Sequence, residues 1–208
     1  MTKEEEVKAE ISQIWQILLV AKECYSYSFY LNKPDTDEEL QYLNNSKDFQ
    51  FIRMTMWKMF VIELSKLFKH SVKSDRYNIF HFISKLKKGG NFGNMGISES
   101  KIEEWEENIN RNSETISKIL ILRDKLYSHT DADKEKHKKT DISFEETEQL
   151  IKIVELIIQE IYTTVFNSEA LIETIFFKRE RFKLIEILAK DRIRNREELL
   201  NKYLNGRK

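Results

Sequence analysis

Ile119-Leu120-Ile121-Leu122-Arg123-Asp124-Lys125-Leu126-Tyr127-Ser128-His129-Thr130-Asp131 closes a run whose apolar residues, traced backwards, fall at alternating three- and four-residue steps. Ile119, Ile116, Ile109, Trp105 and Ile102 carry that register, with Asn112 its one polar member. The period predicts a single long amphipathic helix, capped at its start by Ser100 with Glu103. Continued forwards, the same register lands on Arg123. A guanidinium on the apolar face of a helix must meet an anion or a wet concave site, because an unpaired buried charge is very costly. Arg123 is therefore either half of a structural ion pair, with Glu63 on the apolar stripe of an earlier helix as the partner, or part of a binding site. His129 follows it and is the one side chain here able both to take and to give a proton near neutral pH. At the end of a helix it could equally serve only the last carbonyls and the dipole.

The rest of the chain reads as helix almost throughout. One proline and five glycines leave little room for sheet hairpins. Val7, Ile11, Ile14, Leu18, Ala21 and Tyr25 place a first helix over about residues 3–31, which Pro34 stops. Thr36 with Glu39 forms a capping box for a short helix around Leu40 to Leu43. Residues 49–69 are apolar nearly all round, with Met54, Trp57, Met59, Val61 and Ile62 joining Phe49, Ile52, Met56, Phe60, Leu64 and Leu67. Such a helix belongs at the centre of a bundle or is shared with a second subunit. A shorter helix over residues 75–88 is followed by Gly89 to Gly96, which reads as a flexible connector and lacks the pattern of a phosphate-binding loop. Ser143 with Glu146 caps a helix striped by Leu150, Val154, Ile157, Ile158, Ile161 and Val165. From Ser168 onward, Lys178, Arg179, Arg181, Lys183, Lys190, Arg192, Arg194 and Arg196 crowd a helical pattern. The fold class is all-α. We expect a four-helix bundle over residues 1–166, with an inserted short helix, and a basic helical extension over 167–208.

Composition narrows the function classes. Lys plus Arg and Asp plus Glu both number 35, so any polyanion site must be local. The single cysteine, Cys24, excludes an intrachain disulfide. The N-terminus runs straight into Lys3-Glu4-Glu5-Glu6 without a signal peptide, and no apolar segment is long enough to span a bilayer. A cytoplasmic protein is expected. No HxxxH, CxxC or HExxH spacing offers a metal site.

Arg123, polar Asp124, four further residues and His129 resemble the signature of the HEPN superfamily, all-helical proteins whose motif is an Arg, a polar residue, a few variable positions and a His. With Lys125 and the trailing Thr130-Asp131, and with the helical Trp57 to Phe68 segment, the chain resembles the abortive-infection U-type branch found in prokaryotic anti-phage systems. The resemblance covers roughly Ile11 to Val165. It implies a four-helix bundle, a homodimer and RNA cleavage without a metal or other cofactor, in an abortive-infection or toxin–antitoxin setting with an antitoxin or other regulatory partner. Arg123 and His129 would then be catalytic, with Asp124, Glu63 and Tyr127 in support and Ser65 and Lys66 near the cleft. Lys125, Lys134, Lys136 and Lys138 would hold the RNA. Six residues at about 100° each set Arg123 and His129 roughly 120° apart on a straight helix, so convergence needs either a helix end near Ser128 or a two-fold axis that faces two motifs. The family is known for the second arrangement. Toxins modified on a Tyr by a nucleotidyltransferase partner carry that Tyr two residues after the His, where this chain has Asp131. The alternative is a catalytically inert HEPN dimer that binds nucleotide, RNA or a protein.

Overall fold

The computed structural model describes residues 1–69, 77–127, 141–173 and 182–205. Among these residues the elements are α1 (Lys3–Asn32), α2 (Asp37–Asn45), α3 (Lys47–Phe68), α4 (Ile79–Leu86), α5 (Glu99–Arg111), α6 (Ser113–Ile121), a π-helical turn (Leu122–Tyr127), α7 (Phe144–Phe166) and α8 (Lys183–Asn205), with no strand. No helix among the described residues is long and apolar enough to cross a membrane.

The helices begin where their caps put them. Thr36 Oγ1 accepts from Glu39 N at 3.2 Å while the Glu39 carboxylate accepts from Thr36 N at 3.2 Å, which fixes the start of α2. Ser143 and Glu146 do the same for α7, at 3.1 and 2.7 Å. Each box satisfies two backbone donors that a helix start would otherwise leave open. The first turn of α5 departs from the expected Ser100 cap, because Ser98 Oγ, two residues earlier, accepts from Lys101 N at 3.2 Å. Asn78 caps α4 by accepting from His81 N at 2.8 Å, so that helix starts later than its apolar spacing implies.

Packing separates the chain into two compact units. The first comprises residues 1–24 and 58–173, and the second residues 25–57 and 174–208. In the first unit the α1 stripe of Val7, Ile11, Ile14, Leu18 and Ala21 is wholly buried, as are Phe60, Leu64, Leu67 and Phe68 of α3. α7 contributes Leu150, Val154, Ile157, Ile158 and Ile161, equally buried, and packs on α5 and α6. In the second unit α8 packs along α2. Its core gathers Tyr30, Leu31, Leu43 and Ile185, with Phe182 stacked on Tyr30. Burial, followed by the Glu39 carboxylate, pushes the Tyr30 hydroxyl well above its usual range. α3 is not covered on every side: Phe51 and Met54 are each 63% exposed.

Two segments differ from the sequence expectation. The helix leading to Arg123 is not continuous, since Asn112 leaves helical geometry at φ −103° and ψ 15° and separates α5 from α6. Its side-chain Nδ2 donates to the Asn108 carbonyl at 2.9 Å, a local hydrogen bond of the kind that competes with the helical ladder. The glycine-rich connector is also pinned. Phe92 is buried, its N–H donates to the Lys85 carbonyl at 2.7 Å, and a Cβ at Gly90 or Gly93 would stand 2.5 or 2.7 Å from the carbonyl oxygen of Lys85 or Lys87.

Candidate active site

Arg123 stands on the π-helical turn that continues α6. Up to that point α6 presents Ile116 and Ile119 to the core, and Leu122 at the junction is still buried. A π-helical stretch closes its hydrogen bonds over five residues rather than four, so it changes the direction in which successive side chains leave the axis; such stretches are frequent at functional sites. The register that delivers Arg123 to the apolar side is therefore not the one followed beyond it. The 120° separation calculated for a straight helix does not apply across this turn.

The Arg123 side chain is 22% exposed, and its Nη1 lies 3.1 Å from Oδ1 of the half-exposed Asp124. That distance makes an ion pair, yet Nη1 is buried and forms no hydrogen bond among the described residues. A guanidinium carries five N–H donors in a rigid fork, and a buried donor left unmet costs about 1–3 kcal/mol. Among the described residues Arg123 thus holds unused donor capacity beside the Asp124 carboxylate. An oxyanion is what such a fork fits best.

Glu63 does not supply the missing partner. Its carboxylate accepts from Lys66 Nζ at 2.5 Å, one turn further along α3, and among the described residues the Arg123 ion pair is with Asp124. Ser65 is fully buried and donates to the Ile62 carbonyl at 2.7 Å, so its hydroxyl is spent on its own helix. The structure thus brings Arg123 and Asp124 together. Lys125 and Tyr127 lie on the π-helical turn, but their side chains are outside the described set, and His129, Lys134, Lys136 and Lys138 lie outside the described residues. Among the described residues no three His, Cys, Asp or Glu side chains gather closely enough to hold a metal ion. The buried Cys24 thiol is pushed up by burial first and then by Glu63 and Glu23, which disfavours the reactive thiolate.

A HEPN family model described as AbiU2 matches residues 4–176, from the first turn of α1 to beyond α7. The chain belongs to the AbiU2 family of HEPN proteins. No curated protein and no solved structure matches it. In AbiU2 terms, the matched span contains Arg123, Asp124 and the π-helical turn, and α8 lies beyond it. The π-helical turn is the feature of this site that sequence reasoning missed. Leu122 to Tyr127 contains neither proline nor glycine, and nothing in its composition distinguishes a π-helical turn from a further turn of α6.

Proposed function

We propose that this chain is a HEPN endoribonuclease of an abortive-infection or toxin–antitoxin system. The observation that carries this reading is the buried Nη1 of Arg123, which among the described residues has no hydrogen bond and pairs with Asp124, inside a chain matched by the AbiU2 family. Arg123 grips the scissile phosphate and offsets the charge that grows on its equatorial oxygens, while Asp124 holds the guanidinium in place. His129 removes the proton from a ribose 2′-OH, and the freed oxygen attacks the adjacent phosphorus. As the bond to the 5′-oxygen breaks, His129 of the partner subunit in a symmetric homodimer protonates the leaving oxygen. The products are a 2′,3′-cyclic phosphate and a 5′-hydroxyl. Two imidazoles supply both proton transfers, and lysines that follow Arg123 steer the strand.

The test is cleavage of mixed cellular RNA in EDTA by the wild type, His129→Ala and Arg123→Ala. His129→Ala is expected to lower the rate by about 10²–10⁴-fold, the usual contribution of a general acid or base. The wild-type rate should pass through a maximum with pH, because one imidazole must be charged while the other is neutral. Cleavage that survives His129→Ala, or disappears on chelation, would sink the mechanism. RNA binding that depends on Arg123 without any cleavage would favour the inert dimer instead.

A further inference from the structure

In the second unit, α2 and α8 enclose a groove of about 420 Å³, walled by Gln41, Tyr42 and Asn45 on one side and Arg192, Ile193 and Arg196 on the other. Its volume falls in the roughly 300–1,000 Å³ range of small-ligand sites. The residues on each wall recur one turn apart, so each helix turns a single face to the groove. One of those walls, α8, lies beyond the residues matched by the AbiU2 family.

The charges of α8 are unevenly paired. Lys190 is held by Glu186 at 2.5 Å and Arg194 by Asp191. Arg192 and Arg196 have no carboxylate partner among the described residues, and Arg192 lies over the Tyr42 ring, 5.8 Å from its centre. Two guanidinium groups one turn apart on a helix repel each other, and an anion between them removes that repulsion. The remainder of the lining does not suit a bare anion. Glu38 contributes an exposed carboxylate that repels a bare anion and can accept from a donor. Asn45 spends its amide N–H on the Gln41 carbonyl at 2.7 Å, which keeps its side-chain oxygen as an acceptor. Tyr42 and Ile193 add flat and apolar surface. A ligand with a phosphate at one end and a planar, donor-bearing ring at the other meets all of these demands.

We propose that the α2–α8 groove binds a nucleoside phosphate. Arg192, seated over Tyr42, and Arg196 take the phosphate, and the base lies against Ile193 with its donors directed to Glu38 and Asn45. The inference does not rest on cleavage, because binding is measured on full-length chain carrying His129→Ala, which leaves an RNA strand intact. The probes are a short fluorescein-labelled single-stranded RNA followed by anisotropy, and AMP as competitor. Arg192→Ala with Arg196→Ala is expected to weaken strand binding about tenfold or more and to lower the salt dependence by about one per arginine. Arg194→Ala, whose arginine is already paired, should change affinity by less than about twofold, as expected for a charge outside the groove. Tyr42→Phe should bind as wild type, since the ring and not the hydroxyl seats Arg192. Binding of the strand in preference to AMP assigns the site to RNA, and displacement of the strand by AMP through the same arginines assigns it to free nucleotide. Unchanged affinity for both probes in the double variant would overturn the proposal. So would arginine-dependent binding of polyglutamate by a chain that ignores RNA and AMP.

Discussion

Lys85 and Arg123 are both cations set against the core of the first unit, and they are treated in opposite ways. Lys85 Nζ donates to both oxygens of the buried Glu10 at 2.7 and 2.8 Å and lies over the Phe92 ring. Among the described residues Arg123 has one ion pair, to a half-exposed neighbour in sequence, and a buried nitrogen with no hydrogen bond. A cation whose donors are met holds structure together. One whose donors are left open beside an otherwise packed helix is available to a ligand, and its incomplete bonding is a cost carried by the free protein.

The difference can be broken by mutation. Removing one partner of a buried ion pair costs about 3–5 kcal/mol, and partial exposure of Lys85 lowers that to about 2–3 kcal/mol for Glu10→Ala. Urea denaturation measures it, and a cost below about 1 kcal/mol would abolish the contrast. Arg123→Met should fall on the other side. It deletes an unmet donor and keeps an apolar stem, so stability should move by no more than about 1 kcal/mol while RNA cleavage is lost. A large loss of stability would mean that Arg123 is a structural residue after all.

Smaller effects sharpen the same comparison at a purely structural site. Ser143→Ala removes the first half of the α7 capping box and should lower stability by about 1 kcal/mol with cleavage unaltered. Glu146, the second half, has its carboxyl held below the usual range by the Ser143 N–H and then by Lys118. Its folded pKa is depressed, so the stabilisation is present above the unfolded value of about 4.3 and is lost as pH falls through that region toward the folded value. Thermal melts of wild type and Glu146→Gln should therefore differ by a small amount at neutral pH and converge in acid. A gap that widens below about pH 4 would contradict the sign.

What the sequence made legible is local. The α1 stripe from Val7 to Ala21, the Thr36–Glu39 box and the Ser143–Glu146 box are settled by residues three or four positions apart, and the structure realises each of them, while Tyr25 at the end of the stripe is half-buried. Asn112 fits the period as the polar member of one helix, yet its side chain bonds back to Asn108 and the helix divides there. Glu63 has the right periodicity to face Arg123, but Lys66 three residues on captures it first, a competition that stripe counting does not weigh. The pairing of α8 with α2 joins residues far apart in the chain, and no period within either helix announces the other. At the site, the motif spacing located Arg123 and Asp124. The unbonded Nη1 and the π-helical turn required coordinates, because both depend on how the surrounding core fixes the end of α6.

The pinned segment after α4 has a consequence for how this protein tolerates genetic change. Gly89 to Gly96 has the composition of a stretch that drift could rewrite freely. At Gly90 and Gly93, however, any side chain would run into a backbone carbonyl, and Gly89, with φ of +83°, holds a backbone conformation that side-chain-bearing residues rarely adopt. In a library covering every substitution, those three columns should be nearly empty, while exposed Asn94, directly after them, should accept most residues. A segment that looks like filler would then emerge among the least forgiving in the chain.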